Sequence, residues 1–336
     1  MTEIDVVIPW VDGADPEWIA RKKEYAKEAL KADDRTTRYR DWEELVYIFR
    51  GIEKNMPWVR KVFLITEGHV PSWLNRECQK LVHLKHSDYI PGKYLPTFSS
   101  HPIELNLHRI AELAEHFIYF NDDMFVLQPL KEELFFRNGE PVYPAILHAA
   151  TSDDRSDVMP YVYLNNHLVI NRHFRKEEML KERSKWFSTR NGLRAIIENI
   201  FNSRYPQIIG FYNSHLPTPM RKSTLKEVWE KEGDLLEEVS SHRFRSKEDV
   251  SQYLFRYWNL ARNQFSPIDP GKLGKELDIT GEKLDEICAA IKEKRYPMIC
   301  LNDTVEDLTQ EQFAAMRDRI NESFEQIYPL KSGFEI

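Results

Sequence analysis

Six residues that could do chemistry together are crowded into one stretch: His101, Glu104, His108, Arg109, Asp122 and Asp123 lie within 23 residues. Placed on a helix from Ile103 to Ala114, the residues Ile103, Leu107, Ile110 and Ala114 form one apolar stripe. Glu104 and His108 then share a flank with His101 at the helix start. The apolar run from Phe117 to Phe120 reads as a strand ending in Asn121-Asp122-Asp123. In a parallel sheet such an end faces the ligand crevice. Carboxylates there suit a hard divalent cation, and a cation there can carry a diphosphate. Aspartates after a strand are also ordinary turn formers, and histidines on a helix are often plain surface residues. The cluster points to a site more than any member does, because its order lets helix and strand end converge.

The elements that must position these groups follow an alternating pattern. Ile4 to Ile8 is a β-branched apolar run that suits a buried parallel strand. It breaks at Pro9 into the turn Trp10-Val11-Asp12-Gly13-Ala14-Asp15-Pro16, which lies where a nucleotide would sit in an α/β sheet and is equally readable as a polar turn. Residues 17–35 are charged and helix-prone. Arg38 and Arg40 precede a helix from Glu43 to Lys54, and their guanidinium forks suit either bidentate phosphate contacts or pairing with a carboxylate. Val62 to Thr66 and Lys80 to Leu84 read as further strands, with a short helix expected over Pro71 to Asn75. Every strand end carries an acid: Asp12, Glu67, Asp88, then Asp122 with Asp123. The alternation predicts an α/β fold, a mostly parallel sheet with helices on its faces. Residues 130–175 read as irregular. Beyond them helical patterns dominate, over 192–204, 222–232, 246–262, 281–293 and 309–328, so a helix-rich half from 136 to 336 packs on the α/β half from 1 to 135.

Three later spots could return chemistry to the crevice. His215 stands in the rigid loop His215-Leu216-Pro217-Thr218-Pro219 and suits a general base for a hydroxyl. Arg245 belongs to a basic knot, His242-Arg243-Phe244-Arg245, before an expected helix start, a natural seat for an anion. Asn302-Asp303 echoes Asn121-Asp122 after another apolar run. Each is as readable as structure when taken alone.

Composition excludes several classes. At 336 residues, 42% hydrophobic and 30% charged, the chain is an ordinary globular protein, and its net charge of −7 gives no general pull toward nucleic acid. Phosphate must be held by local clusters. No Gly-x-Gly-x-x-Gly or Gly-Lys-Ser/Thr phosphate loop is present, which argues against dinucleotide and P-loop chemistry. The cysteines Cys78, Cys288 and Cys300 have no metal or redox spacing, and a sparse odd set predicts a reducing, cytoplasmic setting. Neither a signal peptide nor an apolar run of membrane-spanning length is seen in the sequence.

Several segments together resemble a known family. IDVVIPWVDGADP, RYRDWEELVYIFRGIEKNMPWVRKVFLITEGHVPSWLN, LPTFSSHPIELNLHRI with HFIYFNDDMF, then SHLPTPMRKS, RFRSKEDV and ICLNDT with YPLKSGFE are similar to the four conserved blocks of the Stealth proteins, the capsular polysaccharide phosphotransferases. Ile8-Pro9 departs from the family's usual Tyr-Thr, and Leu330 to Gly333 varies its closing motif.

The resemblance implies a glycosyltransferase-A-like core and transfer of a sugar-1-phosphate from a UDP-sugar to a glycan hydroxyl. UMP leaves, and Mg²⁺ or Mn²⁺ assists. The acceptor would be a glycan, carried on lipid in some members, which implies work at the inner face of the cell membrane. The resemblance further implies that Asp12 and Gly13 line the nucleotide site and that Arg40 and Arg245 face phosphates. Asp122, Asp123, Asn302 and Asp303 would surround the metal, and His215 would be the general base. His101, Glu104, His108 and Arg109 would lie along the helix on the acceptor side, Arg109 also reaching the nucleotide-sugar. The competing reading is a conventional metal-dependent glycosyltransferase that releases UDP. A binding protein that kept the fold without turnover is the third.

Overall fold

The computed structural model describes residues 3–25, 40–151, 158–305 and 308–336. A five-stranded sheet organises the chain. Strand β1 (Ile4–Pro9) runs through its middle, with β2 (Val62–Thr66) and then β3 (Leu81–Lys85) on one side and β4 (His116–Tyr119) on the other, all parallel. Val6 sits in register with Val62 and with Ile118. β1 is buried on both faces, which is why its residues are apolar except Asp5, whose buried carboxylate is paired with Arg60. Ile4, Val6 and Ile8 enter one core, while Val7 enters another on the opposite face. β8 (Thr218–Arg221) closes the β4 edge antiparallel.

A second, three-stranded sheet lies beyond the end of β4. Its strands are β5 (Met124–Val126), β10 (Gly274–Ile279) and β11 (Met298–Asp303); β10 and β11 are parallel and β5 is antiparallel to β11. The turn from Phe120 to Asp123 therefore passes directly from one sheet to the other. It is fixed by Met124 N donating to Asn121 O and by Leu301 N donating to Asp123 O, at 3.3 and 2.9 Å. A small third sheet joins β6 (Phe136–Arg137), β7 (Glu140–Tyr143) and β9 (Ser266–Pro267).

Helices cover both faces. α1 (Pro16–Glu24) starts at proline, with Asp15 Oδ1 accepting from Trp18 N as its cap. α2 (Leu45–Asn55) packs on β5, and Gly51 permits this: a Cβ there would lie 2.9 Å from Val126 O. α3 (Ser100–Leu105) is capped by Ser99, and it is followed by α4 (Met159–His173) and α5 (Leu193–Asn202). α6 (Lys222–Ser241) and α7 (Tyr253–Ala261) fill the second core, while α8 (Leu284–Lys292) and α9 (Gln310–Ile327) back the second sheet.

The expected α/β fold is what the structure has, with local differences. The long helix expected over Ile103–Ala114 ends at Leu105, because Asn106 turns its amide back onto Pro102 O at 2.8 Å and a single 3₁₀ turn, Leu107–Arg109, follows. Pro71–Asn75 forms a turn, bridged at Leu74 to Glu335, in place of a helix. The region read as irregular holds α4. Of the helix expected over 17–35, the first part is α1, and residues 26–35 and Arg38 lie outside the described residues.

Candidate active site

A cavity of about 600 Å³ opens where the two sheets meet the helical half. β1 supplies its floor through Pro9, Trp10 and Val11, and the β4–β5 turn supplies Asn121, Asp122 and Asp123. Arg40, Asp41 and Glu44 come from the entry to α2, His101 and Glu104 from α3, and Asn302 and Asp303 from the end of β11. His215 and Arg245 reach it from the later half. Segments more than 200 residues apart thus share one enclosure.

One wall is acidic beyond what its partners balance. Glu44 is 4% exposed, and its Oε1 is buried without a hydrogen-bond partner, as is Asp123 Oδ1. Burial first, then the charges of Asp123, Asp41, Asp122 and Asp303, push the Glu44 carboxyl well above its ordinary range. Asp122 is surrounded by the cavity walls yet reached by solvent through the opening, which softens the effect. Desolvation, then Asp123 and Asp41, push it up to about 7. Asp303 differs, since it accepts from Arg40 Nη1 at 3.2 Å and Trp42 Nε1 at 3.0 Å, so its charge is already engaged. Asn302 turns its amide to Asp278 Oδ1 at 3.3 Å.

His215 stands against this wall. Its Nε2 lies 3.0 Å from Asn121 Nδ2 and 3.4 Å from Asp123 Oδ2, and its backbone N donates to Glu276 Oε1 at 2.7 Å. Burial pulls the imidazole down, but the charge and hydrogen bond of Asp123, with Glu276, leave it above its ordinary value. Neutral, it accepts from Asn121; protonated, it donates to Asp123. Cys300 sits close by, its thiol driven up by burial and then by Asp123. Asp123, His215 and Cys300 offer ligand atoms within 4.8 Å of one another.

The opposite wall is built differently. His101 Nδ1 donates to Asp249 Oδ2 at 2.7 Å, and His242 Nδ1 lies 2.6 Å from the other oxygen, Oδ1. Burial would raise Asp249, but the hydrogen bonds of the two histidines hold it below its ordinary value. Glu104 accepts from Tyr119 Oη at 3.1 Å and from Gln252 N at 3.2 Å. Arg245 donates to Ser100 Oγ at 3.0 Å, and no carboxylate pairs with it among the described residues.

The structure thus brings Arg40, His101, Glu104, Asp122, Asp123, His215, Arg245, Asn302 and Asp303 around one cavity. Four expected residues fall elsewhere. His108 and Arg109 leave the cavity because the helix ends early: their 3₁₀ turn carries them onto Trp229 of α6, with the Arg109 guanidinium 4.8 Å from its ring. Asp12 and Gly13 lie just past the lining residue Val11, where Asp12 Oδ1 closes its own turn on Ala14 N. Sequence reasoning missed Asp41, Glu44, Asp249 and Cys300. Glu44 carried a signal, an acid set immediately before the apolar face of α2. Asp249 carried none, because His101, which draws it to this wall, lies 148 residues away in sequence.

The residues fit a cation: unpartnered buried carboxylate oxygens, with Glu44 and Asp122 raised by burial and neighbouring acids, are what a divalent ion would relieve. Asp122, Asp123 and Glu44 bring carboxylates to the same cavity, and among the described residues the ligand atoms that already lie within 4.8 Å of one another are those of Asp123, His215 and Cys300. Asp303 is committed to Arg40 and Trp42, and Asn302 is turned outward, so neither stands as a ready ligand.

A capsular polysaccharide phosphotransferase, WcwK of Streptococcus pneumoniae, is 38% identical over 338 residues, covering 100% of this chain and 98% of its own. A receptor polysaccharide phosphotransferase, WefC of Streptococcus oralis, is 38% identical over 348 residues and covers 100% of both. Among solved structures, the galactosyltransferase LgtC in complex with donor and acceptor sugar analogs overlaps 95% of each chain at 9% identity and a TM-score of 0.38, too distant to bear on chemistry. The protein is an enzyme, a transferase. Models of Stealth protein conserved regions 1, 2 and 3 match residues 2–28, 38–142 and 214–258. The chain belongs to the Stealth family.

Proposed function

We propose that this enzyme transfers a hexose-1-phosphate or N-acetylhexosamine-1-phosphate from a UDP-sugar to a hydroxyl of a glycan acceptor. The product is a phosphodiester in capsule or cell-surface polysaccharide, and UMP is released. The observation that carries the reading is the meeting, in one cavity, of surplus carboxylates, an arginine with no acid partner among the described residues and a histidine held beside Asp123. The names of the relatives, polysaccharide phosphotransferases, favour the same chemistry.

In this reading the acceptor oxygen forms a bond to the β-phosphorus, which bears the sugar. The bond from that phosphorus to the oxygen bridging to the α-phosphate breaks, and the electron pair leaves with UMP. His215 Nε2 takes the acceptor proton, a contribution of about 10²–10⁴-fold. Arg245 faces the phosphates, positioned by Ser100, while Arg40 holds Asp303 at the edge. Asp12 and Gly13 would meet the nucleotide from beside the lining residues Trp10 and Val11, and His101 and Glu104 would face the acceptor. A magnesium or manganese ion held at Asp122 and Asp123, with Glu44 adding negative charge nearby, would supply charge neutralisation for the diphosphate. No helix among the described residues is long and apolar enough to cross a membrane. An acceptor carried on lipid would bring the enzyme to the inner membrane face from the cytoplasm.

Incubation with a panel of UDP-sugars and Mg²⁺ or Mn²⁺ tests this directly: UMP as the product supports phosphotransfer, and UDP means a conventional glycosyltransferase. His215→Ala should abolish turnover and leave donor binding nearly intact. Normal turnover in that variant would remove His215 from its role.

A further inference from the structure

Helix α5 is built inside out. A surface helix ordinarily turns its apolar stripe inward. Here the inward face holds Asn199, which is fully buried and hydrogen-bonds three backbone groups: Oδ1 accepts from Leu147 N at 2.7 Å, and Nδ2 donates to Ala145 O at 2.8 Å and Trp186 O at 2.6 Å. The outward face carries Leu193, Ile197, Ile200 and Phe201, at i, i+4, i+7 and i+8, between 47% and 73% exposed. Tyr205 continues the row at 54%. Apart from the small Ala195 and the half-buried Ile196, polar pinning anchors the helix, and most of its hydrophobic side chains are left in water. A contiguous apolar row of this kind marks an interaction surface.

Charge indicates what covers it. The chain as a whole is acidic, at −7, yet from Arg172 to Arg204 it carries nine Lys and Arg against four Glu. Arg190 and Arg204 flank the apolar row, both exposed and in no ion pair among the described residues. Glu198, the one acid on the helix, is held by Arg194 at 2.8 Å and faces His148. An apolar face rimmed by arginines fits the interface of an anionic bilayer, where the side chains enter the acyl boundary and the guanidinium groups meet phosphate headgroups.

Position agrees. Asn199 of the helix accepts from Leu147 N, and Leu147 bridges Phe211, four residues before His215. The helix thus neighbours the loop that carries the proposed base.

We propose that α5 docks this enzyme on an anionic phospholipid surface through Leu193, Ile197, Ile200 and Phe201, with Arg190 and Arg204 on headgroup phosphates. Docking deepens the proposed reaction, since an acceptor carried on lipid would be met there, but lipid binding itself needs neither donor nor acceptor.

The test is co-sedimentation of the full chain with vesicles of phosphatidylcholine alone or mixed with phosphatidylglycerol. Binding is expected only with phosphatidylglycerol and should weaken as salt rises. The double variant Ile197→Asp, Phe201→Asp should bind at least about tenfold more weakly, and Arg190→Glu with Arg204→Glu should lose binding by a similar factor. Both variants should keep the melting temperature and the rate on a water-soluble acceptor. Equal sedimentation of variants and parent overturns the proposal. So does a parent that ignores vesicles but is a dimer by light scattering and becomes monomeric in the double variant, which would make the face a self-interface.

Discussion

Glu44 and Asp249 are both carboxylates taken out of water, 4% and 0% exposed, and they fare oppositely. Asp249 lies between His101 and His242 and also accepts from Ser246 N, so its charge is matched and its pKa falls. Glu44 lies among Asp41, Asp122, Asp123 and Asp303, with one oxygen unpartnered, and its pKa rises. The first arrangement holds the helical wall in place. The second is a strain that the fold keeps and that a cation and a diphosphate's surroundings would relieve. Balanced burial reads as architecture and unbalanced burial as function.

The largest effect is expected at the unbalanced wall. Asp123→Asn should lower turnover by about 10³-fold while leaving the fold intact, measured as the rate of UMP release beside a melting curve. A variant that unfolds instead would move Asp123 to the structural side.

At the balanced wall the effect should be on stability. Asp249→Ala leaves two histidines without their shared acceptor and should cost about 3–5 kcal/mol, read by chemical denaturation. The pH profile carries the sign. Asp249 is held below its ordinary value, so its share of stability is present above about pH 4 and drains as pH falls through the depressed value. His242, raised chiefly by its hydrogen bond to Asp249, contributes fully below about pH 6.5 and loses its share as pH rises through the raised value. The variant's profile should be flatter at both ends.

A cation sharpens the contrast from the other side. Mg²⁺ or Mn²⁺ at about 100 times its dissociation constant should stabilise the protein by about 2.7 kcal/mol. Glu44→Gln, by removing a like charge, should stabilise the metal-free protein by about 1 kcal/mol and reduce the gain on adding metal. The smallest effect expected is at Ser100→Ala. Freeing Arg245 from its hydroxyl partner at a cost of about 1 kcal/mol should raise the donor KM several-fold with kcat nearly unchanged.

The first sheet was legible because β1, β2 and β4 are buried on both faces and short, largely apolar runs announce that, while the half-buried edge strand β3 still keeps Leu81, Val82 and Leu84. Val62–Thr66 has the expected bounds, and β1, β3 and β4 fall within a residue of theirs. The second sheet was not, because β5 is three residues long and pairs with β11 from the far end of the chain, while β10 carries Lys275, Glu276 and Asp278 among its few apolar residues. α4 was missed since its apolar residues keep no single face. At the site, Asp122, Asp123, His215 and Arg245 were readable as residue types at loop and strand ends. The pairing of Asp249 with His101 was not, since proximity made by folding has no signature in spacing.

The two acids occupy the seam where β4 gives way to β5, so the angle between the sheets is written into their positions. Gly51, on the far side of β5, touches Val126 only three residues beyond Asp123. A methyl group added there, out of reach of any substrate, would wedge the layers apart and shift the carboxylates with them, so drift in metal affinity would trace back to a contact behind the cavity.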